Sequence, residues 1–320
     1  MINKILKYTI VVLSLSLLIF FYFVGRKETS PGISTGLASK IKWDKQNLPL
    51  IPVAQGNWKP QINSSSYILL DADTSIVLIE KESDRKASIA STTKVMTAIL
   101  TLQELSLDQK IVIPKEISKV TGSLINLRTG EEIKVSDLLD GMMMQSGNDA
   151  AFTLGYAIGQ KNGKTNYDEA IAFAVNLMNQ KAKDLNLTNT AYADPAGLDT
   201  YSQSTAADLA HLSAYAMKNP VFSKVIAQTE KDIYSTDGTI MHHLKNSNRL
   251  LHSDDIYYPY AIGVKTGFTN EAGHCLIGAA KKNDHILVSV VLSTFDSTLT
   301  ASAIESRKLL SWGFDNFEWK

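Results

Sequence analysis

The pattern of apolar and polar residues predicts strands near both ends of the chain and helices between them. Two short apolar runs, Tyr67 to Leu70 and Ile76 to Ile79, flank a polar turn, which is typical of a β-hairpin. From Thr92 onward, apolar residues recur at every third or fourth position, as they do on the buried face of a helix. Helical patterning continues over residues 135–144, 150–158, 167–185 and 206–217.

Apolar runs of strand length return towards the end of the sequence. They cover Ala261 to Thr266, His274 to Ala280 and Ile286 to Leu292, and a turn is predicted at Asn283-Asp284. A final helix is predicted over about residues 300–312. Since the early hairpin and the late strands must pair to bury their apolar faces, we expect an α/β fold with a mainly antiparallel sheet covered by helices on both faces.

The amino-terminal region differs from the rest of the chain. Residues 8–25 carry no charge, and a span of about 17–25 apolar residues is enough to cross a bilayer. Aromatic residues end this run where a cleavable signal peptide would have small ones, so a retained membrane anchor is predicted over residues 1–27, with a signal segment as the alternative. Residues 28–59 are rich in Pro, Gly and Ser and are interpreted as a tether. The folded domain is predicted over residues 60–320.

Composition excludes several functional classes. The 320 residues include 32 basic and 32 acidic side chains, so no broad positive field exists to attract nucleic acid. The single cysteine, Cys275, excludes an intramolecular disulfide. The histidines lack ligand spacing with acidic residues. We therefore expect no metal, no cofactor and no nucleic-acid partner.

The string Ser-x-x-Lys occurs three times, beginning at Ser39, Ser83 and Ser91. Only Ser91 lies where an apolar helix begins, and Lys94 then falls on the same helical face, within reach of its hydroxyl. Free backbone N–H groups at a helix start also favour developing negative charge. Ser91 is the predicted nucleophile and Lys94 its base. On this motif alone, the better explanation is that Ser91 is a simple helix cap beside a solvated lysine.

Two further motifs follow in order. Ser146-Gly147-Asn148 lies at the break between two predicted helices, and Lys265-Thr266-Gly267 ends a predicted strand. An ordinary helix turn and an exposed strand end would explain each motif separately. The ordered set resembles the penicillin-recognising serine D,D-peptidases and serine β-lactamases. From about Ser64 to Phe314, the chain is similar to the low-molecular-mass D-alanyl-D-alanine carboxypeptidases. Four segments carry this similarity: residues 89–97, 146–151, 194–199 and 263–267.

The resemblance implies a β-lactamase/D,D-peptidase-like fold, with a helical subdomain within about residues 91–217, and a role for each motif residue. Ser91 would form the acyl-enzyme, Lys94 would take its proton, and Ser146 would pass that proton to the leaving amine. Asn148, Lys265, Thr266 and Gly267 would bind the substrate. The backbone N–H groups of Ser91 and Phe268 would form the oxyanion hole.

Members of this family often add an arginine to the carboxylate contact made by the residue at Thr266. The strand after Lys265, over residues 290–296, contains no arginine. Arg249, in the loop over residues 246–249, does not fall clearly on the family position. This difference predicts a relaxed requirement for a free substrate carboxylate.

The resemblance implies a serine D,D-carboxypeptidase that removes the terminal D-alanine from peptidoglycan stem peptides and is acylated by penicillin. A D,D-endopeptidase acting on cross-links and a non-catalytic β-lactam-binding wall protein are the alternatives. A fast β-lactamase is disfavoured because no Glu in the chain lies four residues before an Asn. The substrate predicts a cell-membrane protein with its catalytic domain on the extracytoplasmic side.

Overall fold

The structure is a computed structural model that describes residues 49–253, 255–295, 298 and 300–320. The predicted anchor, and residues 28–48 of the predicted tether, lie outside the described residues. Within the described ranges, no helix is both long enough and apolar enough to cross a bilayer.

The described chain alternates short strands and helices in its first two thirds and ends in three long strands, a helix and a short strand. The strands are β1 (Pro52–Ala54), β2 (Ser66–Asp71), β3 (Val77–Lys81), β4 (Ala87–Ser88), β5 (Lys110–Val112), β6 (Glu132–Lys134), β7 (Gln203–Ser204), β8 (Glu230–Tyr234), β9 (Met241–Lys245), β10 (Ala261–Thr269), β11 (Gly273–Lys282), β12 (His285–Thr294) and β13 (Phe317–Trp319). The α-helices are α1 (Lys94–Glu104), α2 (Val135–Met144), α3 (Asn148–Lys161), α4 (Tyr167–Asp184), α5 (Ala206–Met217), α6 (Pro220–Ile226) and α7 (Ala301–Asn316).

One five-stranded sheet joins the two ends of the domain in the order β10, β11, β12, β2, β3. Every neighbouring pair is antiparallel, and β12 pairs directly with β2. The turn between β11 and β12 places Asn283 and Asp284 at φ of 50° and 65°, a left-handed conformation that these residue types tolerate well. The predicted hairpin, the late strands and their shared sheet are therefore confirmed.

Helices cover the sheet on both faces because both faces are apolar. Ile68 and Leu70 of β2 belong to a core that also contains α1 and α5 residues. Leu69, between them, belongs to a second core with Leu309 and Leu310 of α7. Alternate residues of one strand point to opposite faces, so β2 is buried along its whole length. The predicted α/β fold is confirmed.

The helical layer holds α1 at its centre. This helix packs against α2, α3, α4 and α5, and its residues from Lys94 to Thr101 are all buried. An enclosed helix of this kind positions its first turn rigidly. That turn faces β10, the edge strand of the sheet, because the short 3-10 turn Ala90–Thr93 packs directly against β10.

The folded part of the chain begins before residue 60. Residues 52–54, which the sequence analysis placed in the tether, form β1 and pair with β13. The indole N–H of Trp312 donates a hydrogen bond of 2.8 Å to the carbonyl oxygen of Trp58. These contacts attach residues 52–58 to the last helix and strand.

Candidate active site

The three motifs meet at one cavity of about 460 Å³. Ser91 comes from the 3-10 turn before α1, Ser146 from the connection between α2 and α3, Asn148 from the start of α3, and Thr266 from β10. Gly267 and Phe268 also line the cavity. Lys94 and Lys265 are buried, with 0% and 1% of their surfaces exposed.

Two of the serines depend on unusual backbone geometry. Ala90, immediately before Ser91, has φ of 46°, and Ser146 has φ of 64°. Residues other than glycine rarely adopt this left-handed conformation, and such strain is concentrated at functional sites. Both serines are thus presented to the cavity by turns that the surrounding packing holds in place.

The Lys94 amine lies among three oxygen atoms. Its Nζ is 2.9 Å from Ser91 Oγ, 2.7 Å from Asn148 Oδ1 and 2.7 Å from the carbonyl oxygen of Ala196. The orientation of the Asn148 amide follows from its other end, because Nδ2 donates to the carbonyl oxygen of Thr121 at 2.7 Å. Two of the three neighbours of Lys94 are therefore obligate hydrogen-bond acceptors.

This geometry determines what a neutral Lys94 can do. A neutral amine has two N–H donors and one lone pair. Asn148 Oδ1 and the Ala196 carbonyl use both donors, so the lone pair is left for the Ser91 hydroxyl proton. A protonated Lys94 has three donors and satisfies the same three oxygens. The site therefore accommodates both the base and its conjugate acid without rearrangement.

The surroundings of the Lys94 amine bring its pKa close to neutral pH. Burial lowers the pKa of Lys94 to about 7, against the raising effect of the Asp194 and Asp149 carboxylates. Burial also lowers the pKa of Lys265 well below 10.5, and the nearby charge of Lys94 lowers it further. The two buried amines therefore oppose each other's protonation.

The loop over residues 194–199 supplies the Ala196 carbonyl in a fixed position. The Asp194 carboxylate accepts hydrogen bonds from the backbone N–H groups of Ala196, Gly197 and Asp199 at 2.6–2.7 Å. Gly197 has φ of 76°, and an added Cβ there would overlap the Ala90 carbonyl oxygen. This loop and the Ser91 turn therefore touch backbone to backbone.

Gly267 allows β10 to approach the same turn. A Cβ at this position would lie 3.1 Å from the backbone nitrogen of Ser91 and 3.1 Å from the carbonyl oxygen of Ile89. Few side chains fit so close a contact. The strand that carries Lys265 and Thr266 is thereby held beside the backbone N–H of Ser91.

A second loop, over residues 121–131, forms the opposite wall. Gly122 and Ser123 line the cavity, and the Ser123 carbonyl oxygen accepts a 2.7 Å hydrogen bond from the Asn148 backbone N–H. Asp149 accepts from the backbone N–H groups of Ile125 and Leu127 at 3.0–3.1 Å. The position of Asn148 therefore depends on this loop.

A buried hydrogen-bonded pair anchors that loop to β9. His242 Nε2 is 2.7 Å from Glu131 Oε1, and its Nδ1 is 2.9 Å from the carbonyl oxygen of Ile125. Both ring nitrogens therefore have a hydrogen-bond partner on the loop. The two side chains are only 5% and 0% exposed. The sequence analysis assigned His242 no partner, because Glu131 is 111 positions away.

Arg249 is a wall residue that the sequence analysis did not place. It lines the cavity together with Ser247 and Thr266. The Ser247 and Thr266 hydroxyl oxygens are 2.6 Å apart. Among the described residues, the Arg249 guanidinium has no hydrogen-bond or ion-pair partner. A cationic side chain thus lines the same cavity as Thr266, which makes Arg249 a candidate for the carboxylate contact that the sequence left unassigned.

Known proteins resemble this chain in sequence and in fold. Residues 53–296 match the family model for D-alanyl-D-alanine carboxypeptidase, Peptidase S11. The chain belongs to this family. As a Peptidase S11 member, it contains all three motif segments within the matched range.

Relatives of the Peptidase S11 chain include proteins with more than one named activity. It is 31% identical over 261 residues to a D-alanyl-D-alanine carboxypeptidase of Bacillus subtilis, covering 80% of this chain and 63% of that protein. It is 33% identical over 256 residues to a D-alanyl-D-alanine endopeptidase of Pseudomonas aeruginosa, covering 79% of each. The crystal structure of the Streptomyces K15 DD-transpeptidase superimposes with a TM-score of 0.75 at 31% identity, covering 81% of this chain and 100% of that one.

The titration of Lys94 predicts the pH dependence of acylation in this Peptidase S11 chain. Only the neutral amine can take the Ser91 proton, so acylation by a fluorescent penicillin should slow as pH falls through about 7 and lose about tenfold per unit below it. Asp194→Asn removes a charge that raises this pKa, so its midpoint should move to lower pH. Stopped-flow rates between pH 5 and 9 measure both, and a flat profile would contradict the assignment.

The buried His242–Glu131 pair should contribute much more to the free energy of unfolding than the exposed His243–Asp232 pair. His242→Ala removes the hydrogen-bond partner of the buried Glu131 Oε1 and of the Ile125 carbonyl oxygen, and each buried group left unsatisfied should cost about 1–3 kcal/mol of unfolding free energy. His243→Ala is the matched control: His243 pairs with Asp232 at 2.6 Å, but the two side chains are 57% and 47% exposed. Its loss should cost below about 1 kcal/mol. Urea denaturation at pH 7 measures both, and equal losses would contradict the buried role.

Proposed function

We propose that this protein is a serine D,D-carboxypeptidase that removes the terminal D-alanine from peptidoglycan stem peptides. The observation that carries the proposal is the hydrogen bonding of Lys94, which directs the lone pair of its neutral amine at the Ser91 hydroxyl. Family membership supports the same reaction. The chain spans only 63% of the length of the Bacillus subtilis relative, so the proposal concerns the catalytic domain.

In the proposed acylation step, Ser91 Oγ attacks the carbonyl carbon between the two terminal D-alanines, and its proton passes to Lys94. The backbone N–H groups of Ser91 and Phe268 stabilise the oxyanion; losing one such donor typically costs about 2.7–4 kcal/mol of barrier. The C–N bond then breaks. Ser146 relays the proton to the departing D-alanine amine, which leaves an ester on Ser91.

In the proposed deacylation step, water attacks the ester carbonyl and releases the shortened peptide. The same groups serve in reverse order, with Lys94 removing a proton from water and returning it to Ser91. A β-lactam forms the same ester, but its opened ring stays attached. The chain has no Glu placed four residues before an Asn, so this ester should hydrolyse slowly.

Substrate binding is proposed to rest on Asn148, Lys265, Thr266 and Arg249. Asn148 holds the peptide backbone, and Lys265 contributes positive potential when protonated. Thr266 and Arg249 contact the terminal carboxylate; a guanidinium suits this because it presents two parallel N–H donors. Gly267 contributes by its small size, which brings β10 close to Ser91.

The location of the substrate also leads to a proposed location for the protein. Peptidoglycan lies outside the cytoplasmic membrane, so the catalytic domain is proposed to lie on that side. The predicted anchor over residues 1–27 would hold it there. The apolar run over residues 8–25 supports this arrangement.

The nucleophile is tested by mass spectrometry after treatment with penicillin. A covalent adduct is expected on the peptide that contains Ser91, and Ser91→Ala should abolish it. Lys94→Ala should slow its formation by about 10²–10⁴-fold, because the general base is lost. Ser83→Ala is the control, since Ser83 begins another Ser-x-x-Lys string and hydrogen-bonds Glu80 instead. An adduct that persists in Ser91→Ala would overturn the assignment.

The carboxylate contact is tested by comparing two peptide substrates. Arg249→Ala should lower kcat/KM about 10–100-fold for a peptide ending in free D-Ala-D-Ala, because one charge-assisted hydrogen bond contributes about 1.5–3 kcal/mol. The same peptide with an amidated C-terminus should show little change. Arg85→Ala, an exposed arginine, controls for general loss of charge. Equal losses on both peptides would show that Arg249 does not read the carboxylate.

A further inference from the structure

The segment that leads into the folded domain exposes several large apolar side chains. Leu50, Ile51, Val53 and Trp58 are 52%, 50%, 37% and 65% exposed. Single exposed apolar residues are ordinary on a protein surface, but a cluster of them marks a contact with a membrane or with another molecule. We name these four side chains the β1 surface, because β1 lies at their centre.

The backbone that carries the β1 surface is fixed to the rest of the domain. Ile51 exchanges backbone hydrogen bonds of 3.0 and 3.1 Å with Lys320. The Gln55 N–H donates to the carbonyl oxygen of the last residue of α7 at 2.8 Å. The carbonyl oxygen of Trp58 accepts a 2.8 Å hydrogen bond from the indole of Trp312. The apolar side chains are therefore presented from a fixed backbone.

Two of these side chains lie on the outward face of the ribbon that β1 forms with β13. Pro52 is buried and Val53 is exposed, as the alternation of side chains along a strand requires. By the same alternation, Ile51 shares the outward face with Val53. A strand face in contact with water usually carries polar residues. Apolar residues on this face therefore indicate a partner outside the described chain.

Basic residues lie beside the β1 surface in sequence or in space: Lys59, Arg307, Lys308 and Lys320. Two of them, Arg307 and Lys308, line a groove of about 530 Å³ together with Trp58. Among the described residues that line this groove, only Asp315 is acidic, and it lies 3.8 Å from Lys282. Tryptophan close to lysine and arginine is typical of protein surfaces that meet the headgroups of a bilayer.

The position of the β1 surface in the chain favours a lipid bilayer as its partner. The uncharged run over residues 8–25 is predicted to cross the membrane, and residues 26–49 separate this run from Leu50. A chain of that length extends at most about 80 Å, so the bilayer is within reach of the domain. The β1 surface is the first part of the described domain that follows the predicted span.

We propose that the β1 surface binds an anionic phospholipid bilayer. Trp58 and the three aliphatic side chains enter the headgroup region, and the neighbouring basic side chains lie beside lipid phosphates. The inference rests on the membrane location given under the proposed function. It adds a lipid contact that the reaction at Ser91 does not require.

The β1 surface lies away from the active-site cavity. The indole of Trp319, in β13, donates to Asp71 at 2.8 Å, where β2 ends. Strand pairing places Asp71 in the same row of the sheet as Ala261, the first residue of β10. Gly267 lies further along β10, about 20 Å from Ala261 at about 3.3 Å per residue. A change on the β1 surface can therefore leave the cavity unaltered.

The lipid contact is tested with a fluorescent probe on the full chain in vesicles of phosphatidylglycerol and phosphatidylcholine. Val53→Cys places a reactive thiol on the β1 surface, whereas Cys275 is buried and should stay unlabelled. The emission of a polarity-sensitive dye at residue 53 should shift to shorter wavelength. Nitroxide-labelled lipids should quench it about twofold or more, since groups in the interface lie roughly 5–10 Å deep.

Val112→Cys is the matched control. Val112 is 56% exposed and belongs to β5, which pairs with β6 in another two-stranded ribbon. A dye at this position should keep its long-wavelength emission and show little quenching by lipid. Quenching at residue 53 that is no stronger than at residue 112 would overturn the inference. A dye at residue 53 that is shielded from water but not quenched by lipid would also overturn it, in favour of a second copy of the chain or another protein.

The charged part of the contact is tested with Lys59→Glu in the Val53→Cys chain. One lysine near an anionic membrane contributes about fivefold to binding, so quenching at residue 53 should weaken in vesicles that contain phosphatidylglycerol. Lys134→Glu, whose lysine side chain is 46% exposed, should leave the quenching unchanged. Equal quenching in the two variants would contradict a preference for anionic lipid.

Acylation of Ser91 by penicillin in the same vesicles separates the two proposals. Val53 and Lys59 take no part in the reaction, so their variants should be acylated at the unaltered rate. If the dye at residue 53 stays in water while Ser91 is acylated, the lipid contact is wrong and the proposed function stands. If the dye is quenched but penicillin does not acylate Ser91, the lipid contact stands and the proposed function fails.

Discussion

The burial of one amine constrains much of this structure. Lys94 is fully enclosed at the start of α1, and a charge in such a place is costly unless nearby groups compensate it. Three separate segments each bring one oxygen to it: the turn at Ser91, the start of α3 at Asn148, and the loop at Ala196. Hydrogen bonds to one atom, Lys94 Nζ, therefore connect the helical layer with both walls of the cavity.

The carboxylates nearest to Lys94 act on its proton from a distance. Asp194 and Asp149 use their oxygens on backbone N–H groups of the loops beside the cavity. The Lys94 amine bonds Ser91, Asn148 and the Ala196 carbonyl and neither of these carboxylates. They raise its pKa only enough to offset part of the effect of burial, which leaves the value at about 7. The same two carboxylates therefore hold the loops beside the cavity in place and adjust the pKa of Lys94.

Local patterns in the sequence predicted most of the fold. The helices over 135–144 and 206–217 agree to the residue, because their apolar spacing is regular and Thr205 caps the second. Strand β9 was missed because its buried positions include His242, a polar residue whose buried hydrogen-bond partners, Glu131 and Ile125, lie more than 100 positions away. Strand β1 was missed because its partner lies at residues 317–319. Both observations depend on contacts between residues that are distant in sequence.

The site residues that belong to short sequence motifs were predicted, and Arg249, which belongs to none, was not. Ser91, Ser146, Asn148 and the residues of β10 follow from short motifs, and the structure brings them to one cavity. Arg249 reaches that cavity because of the path of its loop, and no motif in the sequence predicts this path. The pairing of β1 with β13 has a different consequence: Ile51 and Lys320 exchange backbone hydrogen bonds of 3.0 and 3.1 Å. Ile51 and Lys320 therefore lie side by side, so a short peptide that joins these two residues should permit a circular permutation with new termini opened at the Asn283-Asp284 turn.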